Sequence, residues 1–137
     1  MRISLSVLLA SLLTLVAPLP ARSFEGCDES MATGAHTRCL INALSAMDRD
    51  LNRALKQVAK EAKGVPSEMF RTLWRDNLTS FYNTSPDPLQ QAKRFRAERR
   101  RICAFAKSIG FQGTGYGIAT TRCELALTQT LLEQLQP

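Results

Sequence analysis

Histidine occurs once in 137 residues, tryptophan once and tyrosine twice. With a single imidazole, at His36, the chain offers neither a multi-histidine metal set nor a histidine base beside a nucleophile. His36 reads as an ordinary surface or capping residue. No strand–turn–helix elbow presents any of the serines or threonines, and Asp48 and Asp50 project from different sides of one helix, so they form no hydrolytic pair. Sustained alternation of β-branched residues is missing as well, which argues against a sheet. Internal repeats and long low-complexity linkers are also missing. Acidic residues are few, 12 against 18 lysines and arginines, for a formal net charge of +6. These absences lead us to expect a non-enzymatic protein with no cofactor and no metal.

What is present begins with "MRISLSVLLASLLTLVAPLPARS". A short positive start, an apolar run from Ile3 to Ala17 and small or helix-breaking residues after it have the layout of a secretory leader, too short before its prolines to be a good membrane anchor. We expect residues 1–23 to be the leader, with cleavage after Ala21 or Ser23, and a periplasmic or secreted product. The roughly 110 residues from 24 to 137 suit one domain with a modest core. Export removes nucleic acid as an expected partner, and the sequence sets no oligomeric state.

Four cysteines, Cys27, Cys39, Cys103 and Cys123, follow the leader. An even count in a small exported chain points to disulfides. Three pairings are possible, and Cys27–Cys39 with Cys103–Cys123 is favoured because each closes a short local loop. By the chain-entropy model each such loop adds about 3 kcal/mol. A four-cysteine zinc site would need close C-x-x-C pairs, which are not there.

Between the cysteines the hydrophobic period is helical. From Arg38 to Lys63, residues Leu40, Leu44, Met47, Leu51, Leu55, Val58 and Ala62 step by three or four. "KGVPS" then stops the helix. A second helix from near Ser67 is expected to bury Phe70, Leu73, Trp74, Leu78 and Phe81. Asp87 and Pro88 form an N-cap and first turn for a third helix reaching about Ile109. "GFQGTGYG" is a turn or loop, and a fourth helix from about Ile118 to Leu135 presents Leu125, Leu127, Leu131, Leu132 and Leu135. The fold class expected is all-α, a small four-helix bundle-like domain stapled by two disulfides.

The third helix holds "AKRFRAERRRIC" (92–103), with six basic side chains in nine positions. At about 100° per residue, Ala92, Phe95, Ile102, Cys103, Ala106 and Ile109 gather in one stripe, and Arg99 falls inside it. A charge facing a core stripe requires a partner. Asp48, beside Leu44, Met47 and Leu51 on the first helix, is the candidate for a structural ion pair. Lys93, Arg96, Arg100 and Lys107 share one flank, a candidate anion-binding face, while Arg94 and Arg101 lie on the other with Glu98.

"CLINALSAMDRDLNRAL" (39–55), "LQQAKRFRAERRRICAF" (89–105), a glycine-rich stretch and "CELALTQTLLEQL" (123–135), in that order, resemble the LprI-type lysozyme-inhibitor family of small exported bacterial domains. The D-x-x-L-N element matches Asp48, Leu51 and Asn52. The aromatic–arginine–cysteine spacing matches Phe95, Arg99 and Cys103, and the closing pair matches Cys123 and Thr128. This chain departs at Phe95, where tryptophan is usual, at Leu55, Arg100 and Leu131, and in a longer Gly64–Asp87 connection. The resemblance implies an envelope binding protein whose partner is lysozyme or another cell-wall hydrolase. Glu25, Asp28 and Glu29 are the local acids available to enter a cleft. The charge pattern suggests a different function, a basic envelope domain that binds anionic lipid or glycan surfaces.

Overall fold

A computed structural model describes residues 26–136. The expected leader and Glu25 lie outside the described residues. Four α-helices follow in order: α1 (Thr33–Gly64), α2 (Glu68–Asp76), α3 (Pro88–Ala106) and α4 (Tyr116–Gln134). A π-helical turn, Asn77–Phe81, extends α2, and a 3-10 turn, Ser108–Gly110, follows α3. No strand occurs among the described residues.

Local chemistry sets most of these boundaries. Ser67 caps α2 by accepting a hydrogen bond from the Phe70 N–H, and Asp87 caps α3 by accepting from Leu89 ahead of Pro88. Each cap satisfies a donor that the first turn leaves without a partner. Beyond the π turn, Asn83 takes a φ of 49°, a conformation asparagine tolerates, and turns the chain toward Pro86.

α1, α3 and α4 pack against one another, with α2 appended to α1. α3 runs antiparallel to α1, since Arg99 meets Asp48 while Arg96 meets Asn52. The core is small: Leu40, Leu51 and Ala59 of α1, Ala92 and Cys103 of α3, and Leu125 of α4. At 32 residues α1 is about 48 Å long, whereas the 19 residues of α4 span about 29 Å. α4 therefore covers only part of α1. Trp74, Leu78 and the Thr84–Pro88 segment reach the Leu55–Ala59 stretch beyond it, across a shallow cavity of about 270 Å³.

Three expectations need correction. α1 starts five residues before Arg38, because His36 continues the Leu40–Leu44 stripe one turn earlier. His36 is consequently buried and not on the surface. α3 stops at Ala106, and Ile102, Ala106 and Ile109 are exposed although they share the core-facing stripe. Of the five residues the second helix is expected to bury, Phe70, Leu73 and Phe81 are exposed, and Trp74 and Leu78 are partly covered. A helix packed against one neighbour can bury only one narrow stripe.

Candidate functional site

The most buried charge belongs to Arg99, whose side chain is 4% exposed. Its Nη2 donates to Asp48 Oδ2 at 2.9 Å and its Nη1 to Asp48 Oδ1, a two-point fork onto one carboxylate. Nη1 also donates to Thr128 Oγ1 at 2.9 Å, and Nε donates to Glu124 Oε2 at 3.1 Å. The Thr128 hydroxyl in turn donates a hydrogen bond to the Glu124 main-chain carbonyl at 2.7 Å. The Phe95 ring centroid lies 5.7 Å from the guanidinium carbon, a cation–π distance. One side chain of α3 thus joins α1 and α4. Among the described residues no buried side-chain polar atom lacks a partner.

Burial is the largest influence on Arg99 and pulls its pKa down. The hydrogen bonds and attraction from Asp48 and Glu124 outweigh it, so the guanidinium is held above its ordinary value and stays charged. Leu51, also in the D-x-x-L-N element, is fully buried one turn from Asp48, and Asn52 accepts from Arg96 Nη1 at 3.1 Å. The motif residues of α1, α3 and α4 therefore meet along one internal seam. Glu124 had no place in the reading of the sequence. Its only signal is its spacing of four from Thr128, which puts both on the α4 face turned to Arg99.

The disulfides Cys27–Cys39 and Cys103–Cys123 are both formed. The first ties the segment before α1 to that helix, and the second joins the end of α3 to the start of α4. Of the acids near the first, Asp28 accepts from the Ser30 N–H, which holds its carboxyl below the ordinary range. Glu29 pairs with Arg122 at 2.7 Å, and Arg122 also stands 3.5 Å from His36 Nε2.

On the basic flank, Lys93, Arg100 and Lys107 are exposed, while Arg96 is half-buried against Asn52. An apolar end that helical periodicity does not signal lies beyond the Cys103–Cys123 bond. Ile109 is 101% exposed, Phe105 82% and Phe111 62%. The loop carrying Ile109 and Phe111 is braced by Tyr116. The Phe111 and Tyr116 rings lie 4.6 Å apart, and the Tyr116 hydroxyl donates to the Ala104 carbonyl at 3.4 Å.

Among the described residues no group of three or more His, Cys, Asp or Glu side chains could hold a metal ion, and no helix is long and apolar enough to cross a membrane. No curated protein and no solved structure matches the chain. The family described as lysozyme inhibitor LprI matches residues 27–135. That span takes in both disulfides and the whole Arg99 seam, and on it the chain belongs to the LprI lysozyme-inhibitor family.

Proposed function

We propose that this protein is exported and inhibits or masks a cell-wall hydrolase of the lysozyme type, using the apolar end around Phe105, Ile109 and Phe111 as its binding edge. The observation that carries the choice of edge is the exposure of those side chains within the segment that Cys103–Cys123 closes covalently; Phe81 and Tyr82 are as exposed, but no disulfide among the described residues fixes them. Three large apolar side chains exposed within seven residues of one closed segment are the kind of surface that interaction sites use. A loop already braced by the Phe111–Tyr116 contact loses little freedom on binding, which favours affinity.

Charge points the same way. Once the leader has taken Arg2 and Arg22 with it, the chain carries a net charge of about +4, so it would approach a basic lysozyme of the animal type against repulsion, and contact energy must come from apolar burial. The Arg99 seam is internal, and its part in this reading is to hold the helices that carry the edge.

The test is titration of the purified, oxidised protein into several lysozymes while cell-wall lysis is followed. Inhibition is expected, with potency falling roughly tenfold or more in I109D and F111D, the scale of losing a hot-spot contact. Added salt should leave the inhibition of a basic lysozyme intact, because it screens the repulsion. Failure to inhibit any lysozyme at micromolar protein would overturn the proposal.

A further inference from the structure

Three of the four cations expected on one flank of α3 are half of a larger feature. On α1, Arg49, Lys56 and Lys60 fall within about 40° of arc, on the side of that helix where Asn52 meets Arg96. On α3, Lys93, Arg96 and Arg100 occupy the facing flank, within about 60° of arc. Because the two helices run antiparallel, Lys56 comes level with Lys93 and Arg49 with Arg100, on either side of the Asn52–Arg96 hydrogen bond. Two rows of cations therefore border one groove, separated by the usual 8–10 Å between packed helices.

Among the described residues no carboxylate pairs with any of these six cations. Arg53, Arg71, Arg101 and Arg122 each pair with a carboxylate. By contrast, Arg49, Lys56, Lys60, Lys93 and Arg100 are exposed and, among the described residues, make no ion pair or side-chain hydrogen bond. The acids of α1 and α3 point elsewhere: Asp48 to Arg99, Asp50 to Arg53, Glu61 to Gln57 and Glu98 to Arg101. Lys56 with Lys60, and Arg96 with Arg100, are like charges four apart on a helix, an arrangement that opposes folding. A polyanion laid along the groove would relieve that repulsion.

We infer that the α1–α3 groove binds a linear polyanion, a chain of phosphate or carboxylate groups. A lipid surface fits less well. Leu89 is the one large apolar side chain of α3 exposed on this flank; the others, Phe105 and Ile102, stand on the opposite flank, and Ile109 lies past the end of that helix. The donors here are also set in two rows along a groove and do not form a flat patch. This site is separate from the apolar edge proposed to meet a hydrolase, so either can fail without the other.

The probe is fluorescently labelled linear polyphosphate, followed by anisotropy with the purified, oxidised protein. With about five charges contacted, a slope near −0.7 per charge implies a roughly hundredfold loss of affinity between about 50 and 200 mM salt. K56E/R100E should abolish binding. R94E/R101E, which changes net charge equally on the other flank, should keep it within about twofold, and both should still inhibit lysozyme if that activity is present. Should K56E/R100E melt early, the neutral K56Q/R100Q answers the same question. Equal loss in the two charge-reversal variants would overturn the inference, as would binding to phosphatidylglycerol vesicles without binding to polyphosphate.

Discussion

A guanidinium withdrawn from water between two carboxylates is stable only while every donor keeps its partner. Arg99 gives each of its three nitrogens a partner through four bonds that need its planar fork: two to Asp48, one to Glu124 and one to Thr128. Lysine has one ammonium and cannot reproduce the set. Arg99→Lys is therefore expected to cost about 2–3 kcal/mol, a fall of roughly 8–12 °C in Tm for a domain of this size. Asp48→Asn keeps the shape but removes a charge and an acceptor, and should cost nearly as much. Thermal melts of both variants check this, and an unchanged Tm for either would remove the architectural role assigned to the cluster. The need for a partner to Arg99 is legible in sequence, because an ionised group in an apolar stripe is a contradiction that one chain can display. Glu124 is not legible in that way. Its neighbours make an ordinary helix, and only the rotation of α4 turns it inward.

At the level of elements, periodicity finds helices better than it ranks their burial. The stripe Phe70–Trp74–Leu78 is as regular as the stripe in α1, yet α2 has no buried residue, whereas α1, α3 and α4 each have at least three. α1, α3 and α4 already close a core, and one chain does not reveal which of four amphipathic helices will be left at the margin. His36 shows the reverse failure: a polar side chain hid the first turn of α1. The consequence for dynamics is direct, since segments with few buried apolar contacts open at low free energy. Backbone amides from Glu68 to Phe81 should exchange with deuterium well before those of Leu51 or Ala92 in the core. Exchange mass spectrometry resolves these segments, and equal protection of α2 and α3 would show that the appended helix is as firmly held as the bundle.

Across the whole molecule the covalent ties and the proposed binding edge collect at one end. The start of α1, the end of α3 and the start of α4 meet there, and both disulfides, the buried His36 and the apolar loop belong to it. The other end has α2, Trp74 and no covalent tie among the described residues. By loop entropy the two disulfides are nearly equivalent, closing 12- and 20-residue separations for about 3 kcal/mol each. Their positions are not equivalent. Cys103–Cys123 is the base of the loop that carries Ile109 and Phe111, whereas Cys27–Cys39 fastens the segment ahead of α1. Replacing either pair with alanine should lower stability by a similar amount, measurable by urea unfolding. Lysozyme inhibition should separate them, with C103A/C123A losing roughly tenfold or more because the released loop must be ordered again on binding, and C27A/C39A staying within about threefold. Loss of both bonds removes about 6 kcal/mol from a fold of ordinary marginal stability, so the fully reduced protein should unfold near body temperature. If the two alanine pairs lost inhibition equally at temperatures where both remain folded, the binding edge would not be the loop that Cys103–Cys123 closes.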